Sequence, residues 1–328
     1  MKRLRPGLLI GAALLLPGGA RAHDGLHVDI QEITARIAEL ESPPPELLLQ
    51  RARLLREHGK PTDALADLDR VDLLLEEMPD SPLRRLTAPL LRAQVLVDLD
   101  RSDGVLALLD GVLTEAPDHP GALDLRADLR VAAGNLDGAI EDRRRAFEAL
   151  PTLERTLTLG AALGGTGRLE AASRLYARAI ERLGESLLIR DAWISNEIAR
   201  GEFESALAMI GAELGRAAVR TPWLLRRAEV YRAAGNEARR IEALDAALAE
   251  ADRVIARRPL PVHLVSRARV RLARGELDAA EDDARLALER VPEFALAATL
   301  LAEIRERRES VPEAPAGEGA TEAPPDGG

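Results

Sequence analysis

The glycines that interrupt helix-forming stretches of this chain recur at a nearly constant spacing. From Gly134 the next ones fall at Gly167, Gly201 and Gly235, in steps of 33, 34 and 34 residues. The stretches between them are rich in Ala, Leu, Arg and Glu, which favour helix, and glycine is the usual residue where a helix ends in a left-handed turn. A period of this length predicts a linear array of repeated helix pairs.

The same register extends in both directions along the chain. Gly59 and Gly275 mark further turns, and Asp100 stands 34 residues before Gly134 in the place of a glycine. The main signal of a strand is a run rich in β-branched residues in which apolar and polar positions alternate, and the sequence contains no such run. Aromatic residues make up only 2% of the chain, so the core must be built from Leu and Ala in thin layers of helices.

Small residues recur at matching positions of the predicted helices, where they allow two helices to approach closely. In the first helix of each pair they are Ala52, Ala93, Ala127, Gly160, Ala228 and Ala268, with Ile194 as a departure. In the second helix they are Ala64, Ala139, Ala172, Ala206 and Ala280, with Val105 and Arg240 as departures, followed by Ala146, Ala179, Ala247 and Ala287. Pro117, Pro151 and Pro292 close three units, because proline stops a helix.

With this period and pattern, residues 45–294 resemble the tetratricopeptide-repeat (TPR) family. The resemblance implies an all-α, right-handed superhelical TPR solenoid of about seven helix–turn–helix repeats. The repeats are expected to start near Pro45, Leu86, Pro120, Leu153, Leu187, Thr221 and Pro261. The first and sixth periods are longer by seven and six residues, which we interpret as lengthened second helices followed by a longer loop.

The segments that flank the array have compositions of their own. Residues 1–22 carry Lys2, Arg3 and Arg5, a short apolar run and the sequence Ala20-Arg21-Ala22, which together predict a bacterial signal peptide cleaved after Ala22. Residues 23–44 are expected to form an N-terminal capping helix and a linker, and residues 295–309 a C-terminal capping helix. Residues 310–328 are rich in Pro, Gly and Glu and are expected to be disordered.

Export would make the protein periplasmic or secreted, without stable membrane insertion after cleavage, because no second apolar span follows. The net charge of −10 includes four cations of the leader; without them 41 basic residues face 55 acidic ones, for a net charge of −14. Nucleic acid and anionic membranes attract cationic surfaces, so neither is an expected partner. With no cysteine in the chain, disulfides and thiolate metal sites are excluded.

The sequence contains no pattern typical of a catalytic site. A phosphate-binding loop with its lysine and a nucleophile elbow are both missing. We therefore expect no enzymatic activity and no cofactor. Cleavage after Ala22 would make His23 the new N-terminus, where its amine and imidazole, with His27 and Asp24, could bind copper or zinc. The sequence around these residues offers no groups that would hold the ligands in place, and a metal site is not the favoured interpretation.

The resemblance implies that the first helices line a concave groove. Carried onto this chain, the groove positions are Arg53, Arg56 and Glu57, Gln94 and Asp98, Asp124 and Asp128, Asp191 and Ser195, Glu229 and Arg232, and Arg269. Carboxylates in the middle of this set would suit an extended or helical segment of a partner protein that carries Arg or Lys. Asp124 and Asp128 occupy sites where chaperone-binding members carry a Lys/Asn clamp, so that activity is not expected.

The sequence thus predicts a non-catalytic scaffold or adaptor of the cell envelope that binds partner proteins in its groove. An accessory factor for the assembly or export of envelope polysaccharide or outer-membrane cargo is one alternative, although two Trp and two Tyr offer few platforms for sugars. Metal binding at His23 is the other.

Overall fold

The computed structural model describes residues 19–310, and the side chains from residue 27 onward. Every regular element in this part of the chain is helical, and none is a strand. The predicted all-α solenoid of helix pairs is confirmed. The predicted signal peptide lies mostly outside the described residues, as does nearly all of the predicted disordered tail, and both stay predictions. None of the described helices has the length and apolar character needed to cross a membrane.

Sixteen α-helices follow one another in the described part of the chain. They are α1 (Gly19–Ala38), α2 (Pro45–Glu57), α3 (Pro61–Leu75), α4 (Ala88–Asp98), α5 (Val105–Glu115), α6 (Pro120–Ala132), α7 (Leu136–Ala149), α8 (Leu153–Gly165), α9 (Leu169–Leu183), α10 (Leu187–Arg200), α11 (Phe203–Arg216), α12 (Thr221–Ala233), α13 (Glu237–Arg257), α14 (Pro261–Arg274), α15 (Leu277–Arg290) and α16 (Ala295–Ser310). Six of the seven first helices begin at the residue that the repeat pattern predicts.

The helices group into two compact units. Of the described residues, unit 1 contains 19–167 and 181–184, and unit 2 contains 168–180 and 185–310. Within unit 1 the pairs α2–α3, α4–α5 and α6–α7 pack together, and within unit 2 the pairs α10–α11, α12–α13 and α14–α15 do so. Because turns of a few residues join the partners, each pair runs antiparallel.

The helices begin and end where their local sequence dictates. Proline occupies the first position of α2, α3, α6 and α14, where a missing N–H costs nothing. The side chains of Asn135 and Asn236 accept hydrogen bonds from the backbone N–H groups of Gly138 and Arg239, at 3.0 and 3.1 Å. These bonds satisfy N–H groups that have no partner inside the helix.

All the turns that the glycine register predicts are left-handed. Gly59, Gly134, Gly167, Gly201, Gly235 and Gly275 have φ between 70° and 85°, and Asp100 has φ 55°. Asp100 is the only residue other than glycine with positive φ in the described part of the chain. After the turn, the N–H of Asn135 reaches back to the carbonyl of Arg130 at 2.8 Å, the six-to-one bond of a Schellman motif.

The predicted small residues form the contact surfaces between helices. Ala52, Ala93 and Ala127 are completely buried, and a larger side chain there would hold the partner helix away. Two of the departures are also buried, since Ile194 and Val105 have no exposed surface. The third is not: Arg240 is half-buried and pairs with Glu237 at 2.7 Å.

The lengthened second helix is correct for the sixth repeat and wrong for the first. In the sixth repeat α13 has 21 residues. In the first repeat α3 ends at Leu75, and the extra residues form a loop and one wide turn of π type, Leu83–Thr87, which continues into α4. Pro79 and Pro82 explain the difference, because proline cannot donate the backbone bond that continues a helix.

Candidate functional site: the grooves of the first helices

Each unit has a cavity on the surface formed by its first helices. In unit 2 a cavity of about 680 Å³ lies among α10, α12, α14 and α16, and part of α13 also lines it. Its lining consists of Asp191, Pro222, Leu225, Arg226, Ala228, Glu229, Arg232, Arg240, Leu244, Arg269, Leu272, Ala273, Glu303 and Arg307. Four predicted groove residues are therefore together in it: Asp191, Glu229, Arg232 and Arg269.

The cavity of unit 1 is smaller, at about 480 Å³, and lies between α2 and α4. Arg53, Arg56 and Gln94 of the predicted set line it, together with Glu57 and with His119 at the start of α6. Asp98, also a predicted groove residue, forms an ion pair with Arg56 at 2.6 Å. His119 has a structural role as well, because its Nδ1 accepts the N–H of Ala122 and caps α6.

The other predicted groove residues are engaged by neighbouring side chains. Asp124 binds Arg155 of the next first helix at 2.7 Å, and Asp128 binds Arg143 of α7 at 2.9 Å. Neither aspartate lines one of the two cavities. The hydroxyl of Ser195 donates to the carbonyl of Asp191 at 3.0 Å.

Arg226 neutralises both carboxylates on one wall of the unit 2 cavity. Its Nε lies 3.0 Å from Asp191, its Nη1 lies 2.6 Å from Glu229, and its Nη2 donates to the hydroxyl of Ser195. Arg226 was not among the predicted groove residues. Its ion pair with Asp191 cancels the negative charge that the sequence predicted at this place in the groove. Paired carboxylates of this kind are poor attractors of a cationic ligand.

A recurrent ion pair between the two helices of a repeat was also missed from the sequence. Arg51 grips Asp67, Arg126 grips Asp142 and Arg267 grips Asp283, each through two hydrogen bonds of 2.5–2.9 Å. All three aspartates are buried. We call these contacts the arginine clamps. The signal was available, since each arginine is the seventh residue of its repeat and precedes its aspartate by 16 positions.

The clamps hold fixed charges. The hydrogen bonds that Arg51, Arg126 and Arg267 donate to their aspartates raise the pKa of each arginine above its ordinary value, although burial of the guanidinium opposes the shift. A guanidinium of this kind does not release its proton at any physiological pH. The clamps therefore stabilise the fold and cannot serve as acids or bases.

A buried polar network in unit 2 joins α9 to α10. Glu197 accepts hydrogen bonds from Ser173, from Trp193 Nε1 at 3.1 Å and from Arg200 at 2.8 Å, and Asn196 donates to Ser173 at 2.7 Å. Burial raises the pKa of Glu197, but these donors outweigh it and hold the pKa below the ordinary value. Glu197 is thus an ionised structural centre that accepts hydrogen bonds from three side chains.

The described side chains provide no group of three or more His, Cys, Asp or Glu residues that could hold a metal ion. His27 and His58 meet edge to face with ring centroids 5.8 Å apart, and His263 contacts the carbonyl of Arg258 at 2.7 Å. The predicted ligand His23 lies in the first turns of α1, outside the residues whose side chains are described. Its metal binding stays untested.

Comparison with known proteins gives structural likeness only. No family model and no curated protein sequence matches the chain. Among solved structures, a tetratricopeptide repeat protein from Parabacteroides merdae is similar at 17% identity and TM-score 0.46, over 80% of this chain and 98% of that one. Yeast Tom70 is similar at 15% identity and TM-score 0.47, over 88% of this chain and 61% of that one. YrrB, a TPR protein, is similar at 17% identity and TM-score 0.42, over 55% and 91%. At these values no statement on function follows.

Proposed function

We propose that this chain is a non-catalytic TPR scaffold of the bacterial cell envelope that holds segments of partner proteins in its grooves. The unit 2 cavity carries the proposal, because its exposed, charged side chains come from the first helices α10, α12 and α14 of three successive repeats and from α16. A surface built in this way offers side chains at repeated intervals, which suits an elongated ligand. A small-molecule site would instead be enclosed and mostly apolar.

Export to the envelope is part of the proposal and rests on the sequence alone. The positively charged start, the short apolar run and the Ala20-Arg21-Ala22 site support cleavage after Ala22. N-terminal sequencing of the mature protein from the native host tests this step separately. A chain that keeps residues 1–22 would contradict it.

In vivo photo-crosslinking tests the scaffold function. A photoreactive residue replaces Gln94 in the unit 1 cavity or Glu229 in the unit 2 cavity, and a matched one replaces Glu289 on the second helix α15, outside both cavities. We expect a discrete crosslinked protein from at least one groove position and none from Glu289. Equal crosslinking from all three positions, or none from the groove, would contradict the proposal.

A further inference from the structure

The unit 2 cavity contains three arginines that no carboxylate neutralises. Arg232 of α12, Arg269 of α14 and Arg307 of α16 are exposed, and none of them has an ion pair to another described residue. The other two arginines of the lining, Arg226 and Arg240, are both paired. The helices α12, α14 and α16 therefore each contribute one unpaired cation to the lining of the same cavity.

This charge is unusual against the rest of the chain. The whole sequence has a net charge of −10, whereas the cavity lining has five arginines against Asp191, Glu229 and Glu303. Like charges that converge in a cleft repel one another, and a cleft with low-dielectric walls focuses their field. The repulsion disappears when an anionic ligand binds, so the arrangement favours one.

Apolar side chains line the cavity together with the arginines. They are Leu225, Ala228, Leu244, Leu272 and Ala273. Aliphatic surface next to cations allows the backbone and carbon atoms of a peptide to pack while its carboxylates reach the guanidinium groups. A free inorganic anion would leave this surface unused.

We infer that the unit 2 cavity binds an acidic segment of a partner protein, with two or three carboxylates within a few residues of each other. The inference rests on the proposed function, because it names the partner chemistry of the same groove. The acidic segment replaces the basic segment that the sequence predicted as the ligand, because Arg226 already forms ion pairs with Asp191 and Glu229. Guanidinium groups bind carboxylates through two parallel hydrogen bonds, which gives direction as well as charge.

The chain's own C-terminal residues are the competing occupant. Residues 311–328 hold four carboxylates and no Lys or Arg, but the carboxylates are separated by four or five positions, at Glu313, Glu318, Glu322 and Asp326. Bringing two of them to one cavity would order the residues between them, which costs conformational entropy for each ordered residue. A segment with neighbouring carboxylates meets the same arginines with fewer ordered residues.

Fluorescence anisotropy with a labelled ten-residue peptide tests the inference on the full chain. The probe has three consecutive glutamates between Gly-Ser flanks, and the matched peptide has three glutamines. We expect the glutamate peptide to bind at least about tenfold more tightly, with an affinity that falls as salt rises. Equal affinities for the two peptides would overturn the inference and leave the crosslinking test of the scaffold unaffected.

Two variants on the same helix locate the binding. Arg307→Gln removes a cavity arginine, and Arg305→Gln removes an exposed arginine of α16 that does not line the cavity. We expect Arg307→Gln and Arg269→Gln each to weaken binding of the glutamate peptide about three- to tenfold, and Arg305→Gln to leave it within about twofold. Equal weakening by Arg305→Gln and Arg307→Gln would overturn the assignment to the cavity.

Neutralising the C-terminal acids distinguishes the two occupants. The full chain with Glu313→Gln, Glu318→Gln, Glu322→Gln and Asp326→Asn is expected to bind the glutamate peptide within about twofold of the unaltered chain. A tightening of about tenfold or more would show that these residues fill the cavity, because a tethered competitor acts at millimolar effective concentration. That result would overturn the assignment to a partner protein.

Discussion

The third and sixth repeats carry arginine at the same position of their first helices, with opposite surroundings. Arg126 of the third repeat grips Asp142 at 2.7 and 2.9 Å and also contacts Asp110 at 2.7 Å. In the sixth repeat Ala243 stands where the aspartate would be. Arg227 has no ion pair to another described residue, and its Nε is buried without a hydrogen-bond partner.

The contrast separates two contributions of one residue type. Arg126 and Arg227 are both half-buried, as arginines with a packed aliphatic stem commonly are. Of these two repeats, only the third also has a buried carboxylate. That carboxylate requires its arginine, because a buried charge without its partner is costly. The repeat fold therefore does not require the clamp, but a repeat that has one depends on it.

Removing the carboxylate of the clamped repeat should have the largest effect. Asp142→Ala leaves Arg126 and Arg130 without their buried partner, which lies 2.6 Å from Arg130 as well. We expect a loss of about 2–4 kcal/mol in the free energy of unfolding. Hydrogen exchange of α6 and α7 measures it. Glu141→Ala, which removes an exposed ion pair to Arg144, should cost less than about 0.5 kcal/mol; equal losses would show that burial of the clamp is unimportant.

Installing the missing carboxylate should make the sixth repeat resemble the third. Ala243→Asp places a carboxylate opposite Arg227, and we expect a gain of about 1 kcal/mol, seen as a rise in Tm. Ala243→Asn is the matched change without charge and should destabilise. In a chain that also carries Arg227→Leu, the gain from Ala243→Asp should vanish. A gain that persists there would mean that the contact with Arg227 is not its source.

The turns of the third and sixth repeats are alike, since both have a glycine with positive φ. In the second repeat Asp100 stands in that place, so a substitution there tests how much the glycine contributes to stability. Asp100 adopts φ 55°, which strains a side chain with a Cβ. We expect Asp100→Gly to stabilise the fold by about 0.5–1 kcal/mol, measured by chemical denaturation. Gly134→Ala should have the opposite sign. A loss of stability in Asp100→Gly would indicate that the aspartate side chain makes a compensating contact.

The smallest effect is expected where the arginine has no partner. Arg227→Leu keeps the apolar stem and removes a guanidinium with a buried, unpaired Nε, so stability should change by less than about 0.5 kcal/mol in either direction. Arg126→Leu, the matched change in the third repeat, should destabilise severalfold more, because the buried Asp142 loses two hydrogen bonds and keeps the one from Arg130. Thermal unfolding of the two variants side by side decides between them, and equal losses would remove the distinction between the repeats.

Backbone features of this fold were predictable from the sequence because they depend on residue type at fixed intervals. The left-handed turns follow from glycine, and even the substitution at Asp100 keeps the conformation. The close helix contacts follow from small residues such as Ala52 and Ala127. In the first repeat the longer loop was predicted, but the lengthened second helix was wrong although Pro79 and Pro82 argue against it. The period alone did not say whether helix or loop would contain the extra residues.

The charge of the groove was less predictable. The family resemblance assigned Asp191, Glu229, Arg232 and Arg269 to the groove, and in the structure these four line one cavity. It did not show that Arg226 would turn toward Asp191 and Glu229, because the direction of a long side chain depends on neighbours from other helices. Which charges remain unpaired is thus a property of the packed array, and a count of acids and bases along one helix does not give it.

The long helix α13 has a mechanical consequence. Its 21 residues extend about two turns beyond a second helix of ordinary length. Over that extension Ile255 packs against the core of the last repeat, and Asp252 pairs with Arg267 of α14 at 2.8 Å. The extension therefore links the sixth and seventh repeats across their junction. Under tension these two repeats should give way together, as a single step of doubled length.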